Sequence, residues 1–119
     1  MKILIVDDSP LMRMILKDYL KNEGFEVYEA GTTREAEKLS LSLRPEVIVK
    51  DLFMPDSDAV DSIRHFIRDN RQVKIIICST EGSREHILEA LRAGARDFII
   101  KPLDKSQVVK VISKVAFLN

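Results

Sequence analysis

Five short apolar runs alternate with five longer amphipathic segments along this chain, and that order leaves few folds open. The runs cover residues 3–6, 25–28, 47–49, 73–78 and 98–100, and most of their members are β-branched or aromatic. Being nearly continuous, they read as strands covered on both faces of a parallel sheet. The segments between them carry helix signals. Ser9-Pro10 sets a capping residue before a proline at the first helical position. Met12, Ile15, Leu16, Tyr19 and Leu20 then form one apolar stripe, which Gly24 is expected to close. Thr32 with Glu35 makes a capping-box pattern ahead of Ala36, Leu39 and Leu43, before Pro45. Asp58, Ser83 and Asp104 are the expected caps of the other three helices, with Gly94 as the stop of the fourth. Strict alternation predicts an α/β domain over residues 1–119, a five-stranded parallel sheet with helices on both faces and right-handed crossovers.

Composition narrows the functions open to such a domain. Nineteen basic residues balance nineteen acidic ones, so nothing draws the whole molecule to nucleic acid or an anionic membrane. Cys78 stands alone, which excludes an intrachain disulfide and a zinc site built on several thiolates. It is expected to be a small buried apolar residue facing away from Ser79. No apolar run is long enough to span a bilayer, and Asp7 and Asp8 interrupt the first run too early for a signal peptide. Cytoplasm is the expected location.

In open parallel sheets, ligands bind at the carboxyl ends of the strands. Asp7 and Asp8 follow the first run, Asp51 follows the third, Ser79 ends the fourth and Lys101 closes the fifth. Each has an ordinary explanation taken singly: a polar loop, a turn residue, a hydroxyl bonded to backbone, a solvated lysine before a proline. Together they point at one edge. Three converging carboxylates repel one another, and a hard divalent cation with oxygen ligands, Mg²⁺ above all, relieves that repulsion. Lys101 and Ser79 remain as donors for an anion, and the set is that of a phosphoryl-transfer site.

The motifs Ile-Val-Asp7-Asp8-Ser-Pro-Leu-Met-Arg, Asp51-Leu-Phe-Met-Pro, Ile-Ile-Cys-Ser79 and Phe98-Ile-Ile-Lys101-Pro102 carry a resemblance. In this order, with 43 residues from Asp8 to Asp51, 28 on to Ser79 and 22 more to Lys101, the whole chain resembles the receiver domain of bacterial response regulators. The resemblance implies a flavodoxin-like (βα)5 fold with strand order 2-1-3-4-5. It makes Asp51 the phosphoacceptor, attacking a phosphohistidine on a histidine kinase or phosphotransfer protein. It assigns Mg²⁺ to Asp8, Asp51 and the Phe53 carbonyl, with Asp7 acting mostly through a metal-bound water. Lys101 would pair with a phosphoryl oxygen, and its bond to Pro102 is a candidate for the cis form. Ser79 and Phe98 would form the switch, altering the surface of the fourth helix, fifth strand and fifth helix for protein binding. Such a protein is a signalling switch that catalyses only its own phosphoryl transfer and dephosphorylation. The expected output is a protein target or a fused output domain absent from this chain, with a phosphorylation-dependent homodimer as a further option. Direct nucleic-acid contact and membrane insertion are not expected.

The chain also departs from the family. Ser57-Asp58-Ala59 stands where Met-Asp-Gly is usual, so the loop after the third strand loses a glycine's freedom. Thr80 adds bulk where Ala or Gly is usual. Lys50 places a cation beside Asp51 in sequence, and strand alternation aims it away from the Asp51 side chain. Phe53 and Glu81 occupy positions that tune hydrolysis in the family, and bulky Phe53 is expected to hinder an attacking water. His65 and His86 fall in helices, expected far from the strand ends, and neither is assigned to chemistry. Three rivals remain. A magnesium-dependent aspartyl phosphatase usually has an acid two residues after its nucleophile, where Phe53 stands here. A flavodoxin-like nucleotide binder needs an anion-friendly first loop, which Asp7-Asp8 is not. A degenerate receiver would signal without phosphorylation, although all five site residues are present.

Overall fold

The computed structural model describes residues 1–80 and 82–117. Five strands and five helices alternate among them: β1 (Lys2–Val6), α1 (Pro10–Leu20), β2 (Glu26–Ala30), α2 (Thr33–Leu43) and β3 (Val47–Asp51) form the first half. α3 (Ala59–Asp69), β4 (Lys74–Thr80), α4 (Arg84–Ala93), β5 (Asp97–Lys101) and α5 (Lys105–Ala116) complete it. The strands form one parallel sheet in the order β2-β1-β3-β4-β5.

Side chains of alternate parity leave the sheet on opposite sides and build two cores. Leu4, Val6, Ile48, Ile75 and Ile77 pack with Ala36 of α2, Ile63 and Phe66 of α3, and Ile87 and Ala90 of α4. Ile3, Ile5, Val47, Val49, Ile76, Cys78 and Ile99 pack with Leu16 and Leu20 of α1 and with Val108, Ile112 and Val115 of α5. Each aliphatic side chain so buried contributes roughly 1.5–3 kcal/mol against the entropy of ordering the chain. Coverage is not uniform. In β2, at the edge, only Ala30 is buried, so the expectation of strands covered on both faces fails there. At the other edge, the Phe98 amide of β5 donates to the Asp97 Oδ1 at 2.8 Å.

The caps follow the sequence with two exceptions. Ser9, Thr32, Asp58 and Asp104 each accept the amide of the residue three positions on, at 2.9–3.2 Å. Ser83 sits at the N-cap of α4 but its hydroxyl makes no capping bond. Gly24 is not the stop of α1. The helix ends at Leu20 with Lys21 as its C-cap, and the chain turns through Asn22 (φ +70°) before reaching Gly24 (φ +84°). Asparagine tolerates that left-handed conformation better than most residues, so the turn starts earlier than the glycine suggests. Gly94 does end α4, at φ +125°, and a Cβ there would meet Ile67 Cδ1 at 2.5 Å.

The α2 N-terminus is closed from outside as well. Asp56, in the loop from β3 to α3, accepts the Thr33 and Arg34 amides at 3.1 and 3.0 Å, and Ser57 shares a 2.7 Å hydrogen bond with Thr33. These bonds use two of the four amides that a helix start leaves without partners.

Candidate functional site

β1 and β3 are neighbours in the sheet, so their ends deliver Asp7, Asp8 and Asp51 to one place. One carboxylate oxygen from each lies within 4.8 Å of the other two. Asp7 is fixed from several directions: Oδ1 accepts the Ser9 amide at 2.9 Å, and its carbonyl accepts Arg13 Nη1 at 2.7 Å. Arg13 is itself held by Glu29 at 2.8 Å. Asp7 is buried, Asp51 half-buried and Asp8 exposed.

Lys101 reaches over from β5. Its ammonium lies 3.2 Å from Asp51 Oδ1 and 3.5 Å from Asp7 Oδ2, and the Lys101–Pro102 bond is cis. Burial and the neighbouring Asp7 charge push the Asp51 carboxyl above its ordinary range, while Lys101 pulls the other way. Burial lowers the Lys101 ammonium, but the Asp51 and Asp7 carboxylates outweigh it and leave the lysine raised. One ammonium thus leaves the acidic cluster under-neutralised. Oxygen donors of this number and charge fit a hard divalent cation, and among the described residues Asp7, Asp8 and Asp51 could hold it.

The other residues singled out are placed differently. Ser79 is buried, and its hydroxyl donates to the Thr80 carbonyl at 3.2 Å. Phe98 stands at the sheet edge with 38% of its surface exposed. The Phe53 side chain is exposed, and its ring meets His86 of α4 edge-on at 5.0 Å between centroids. His86 therefore lies beside the loop that follows Asp51, not far from the strand ends. The α3–α4 side of the sheet brings α4 over that loop, a tertiary contact that helical periodicity does not reveal. His65 is remote, bonded to Glu37 and Asp69 at 3.0 Å each. Cys78 is buried on the α1–α5 side, and burial pushes its thiol up to about 12. Glu81 lies outside the described residues.

Sequence reasoning missed what Lys50 does. The side chain does leave on the face away from the Asp51 carboxylate, but it is wholly buried, and its Nζ donates to the Asp51 carbonyl at 2.9 Å. Burial pushes its pKa down to about 8, with Asp51, Asp56 and Asp58 opposing. The available signal was position: in the middle strand of a five-stranded sheet, both faces are covered.

Known proteins resemble this chain in sequence and in fold. A family model described as the response regulator receiver domain matches residues 3–113. The chemotaxis protein CheY of Thermotoga maritima is 40% identical over 116 residues, 97% of each chain. The transcriptional regulatory protein SrrA of Staphylococcus aureus is 35% identical over 108 residues, 91% of this chain and 44% of that longer one. Among solved structures, the chemotaxis protein CheY4 of Vibrio cholerae superposes with a TM-score of 0.88 at 28% identity, covering 96% of this chain and 97% of that one. The parallel sheet in its order 2-1-3-4-5, the acidic strand ends and the near full-length match agree, and the chain belongs to the response regulator receiver domain family of two-component signalling.

Proposed function

We propose that Asp51 accepts a phosphoryl group from a phosphohistidine on a histidine kinase or phosphotransfer protein. An Asp51 carboxylate oxygen forms the new bond to phosphorus, the phosphorus–nitrogen bond breaks with its electron pair going to nitrogen, and the imidazole leaves neutral because its other ring nitrogen already carries a proton. The observation that carries this reading is the meeting of three carboxylates from adjacent strand ends with an ammonium 3.2 Å from Asp51. Asp8, Asp51 and the Phe53 carbonyl would hold Mg²⁺, with Asp7 acting through water. Bound Mg²⁺ supplies charge neutralisation to the phosphoryl oxygens. Lys101 would then pair with an anionic oxygen, a role supported by its bonds to Asp51 and Asp7.

Ser79 and Phe98 form the switch in this reading. The Ser79 hydroxyl gives up the Thr80 carbonyl for the phosphoryl group, and the half-exposed Phe98 ring turns inward. The α4-β5-α5 surface changes and binds a protein target or an output domain, with homodimerisation as one form of that output. The chain acts as one receiver unit over residues 1–119, a switch located in the cytoplasm. No helix among the described residues is long and apolar enough to cross a membrane.

Intact-protein mass after incubation with acetyl phosphate tests the reading, with and without Mg²⁺, on the wild type and Asp51→Asn. The expected result is a Mg²⁺-dependent gain of one phosphoryl group that the variant lacks. No gain from acetyl phosphate or from a phosphohistidine donor would leave the degenerate receiver as the better description.

A further inference from the structure

Lys50 is a charged residue where the fold calls for an aliphatic one. Its in-register neighbours across the sheet are Val6 and Ile77, both fully buried. Burying an ammonium is costly unless a carboxylate pairs with it. Here the hydrogen-bond acceptor is a neutral carbonyl, and among the described residues no carboxylate forms an ion pair with Nζ. The acids of the adjoining loop are engaged elsewhere. Asp56 takes the Thr33 and Arg34 amides, and Asp58 takes the Asp61 amide. The carbonyl that Lys50 does hold belongs to Asp51. That residue consequently lies between two ammonium groups on opposite faces of the sheet: Lys101 on its carboxylate at 3.2 Å and Lys50 on its main chain at 2.9 Å.

A buried cation with too little negative charge around it gains when negative charge is added nearby. Phosphorylation of Asp51 adds such charge. Resting on the reading of Asp51 as acceptor, we propose that Lys50 is a positioning residue of the transfer, a second cation that acts through the acceptor's own peptide and favours the phosphorylated state. The same charge must oppose a divalent cation at Asp7, Asp8 and Asp51. Lys50 therefore weakens Mg²⁺ binding while promoting phosphoryl gain. A residue that merely braced the loop would strengthen both.

The test uses the full chain at neutral pH, with Lys50→Met to remove the charge and Lys50→Arg to keep it. Mg²⁺ affinity is measured by calorimetry, phosphoryl gain from acetyl phosphate by intact mass at saturating Mg²⁺, and folding by thermal melting. In Lys50→Met, Mg²⁺ is expected to bind about threefold more tightly and phosphoryl gain to slow about tenfold. Its melting temperature stays level or rises, since an apolar chain replaces a buried charge, and Lys50→Arg recovers most of the rate. Affinity and rate falling together, or neither changing, overturns the proposal. If Lys50→Met does not fold, the same two signs are read on Lys50→Gln. A wild type that gains no phosphoryl group sinks the parent reading and this one with it. A wild type that gains it no faster than Lys50→Met sinks this one alone.

Discussion

Lys101 Nζ lies 3.2 Å from Asp51 Oδ1, a contact between two half-buried groups that β4 separates in the sheet. The same ammonium is 3.5 Å from Asp7 Oδ2, so one side chain from β5 ties together the ends of β1 and β3. Its charge offsets part of the repulsion between those carboxylates.

Lys101→Met is expected to destabilise the metal-free protein by about 2 kcal/mol, because two carboxylates lose the cation between them. Mg²⁺ should then raise the melting temperature more in the variant than in the wild type, since the uncompensated acids bind it more tightly. Thermal melts in EDTA and in Mg²⁺ decide; an equal Mg²⁺ increment in both proteins would count against the argument.

Phe53→Asn is expected to shorten the lifetime of phosphorylated Asp51. The ring two residues after the acceptor is exposed and meets His86 edge-on, and its bulk is expected to hinder an attacking water where Asn would not. Loss of the phosphoryl group can be timed by intact mass after the donor is removed. Unchanged or slower loss in the variant refutes the shielding role.

Asp56→Ala removes the carboxylate that accepts the Thr33 and Arg34 amides, at a cost of about 1 kcal/mol. Burial raises the Asp56 carboxyl, but those amides outweigh it and hold its pKa below the ordinary value. A depressed folded-state pKa gives stability that is present above the unfolded value and lost as pH falls through the folded one. The wild type should therefore lose this increment in acid, and the difference between wild type and variant should shrink. Denaturant unfolding at several acidic pH values measures it.

Lys50 predicts a dependence of the opposite kind. With a folded pKa of about 8 against 10.5 unfolded, the unfolded chain binds the extra proton between those values, so stability rises with pH across that window. The span corresponds to about 3 kcal/mol, fully paid below the folded pKa. The charges of Asp51, Asp56 and Asp58 act on the ammonium without pairing with it, and Lys101 is the other shifted lysine of the site, so the comparison is made in EDTA between wild type and Lys50→Met. The variant should lack the rise; an identical pH profile would place the Lys50 pKa near its ordinary value.

The strands and most helix starts could be read from the sequence because local chemistry sets them. Ser9, Thr32, Asp58 and Asp104 cap helices with bonds that span three residues. The gathering of Asp7, Asp8, Asp51 and Lys101 was legible too, since parallel strands end on one edge. What escaped depended on contacts between distant segments. Thr33 and Arg34 bond an acid more than twenty positions away, His86 meets Phe53 although α3 and β4 lie between them in the chain, and the burial of Lys50 follows from its strand's central place. The α1 stop was misplaced because Asn22 adopts the backbone that the glycine rule reserves for Gly24.

The Phe98 amide, satisfied within its own strand by Asp97, bears on how copies of the protein meet. An outermost strand with free amides invites another chain to add to the sheet. Here that donor is already occupied at 2.8 Å, and β2 at the opposite border carries Glu26 and Glu29. Both borders thus discourage the addition of a further strand, which leaves side-chain surfaces as the readier place for copies to meet.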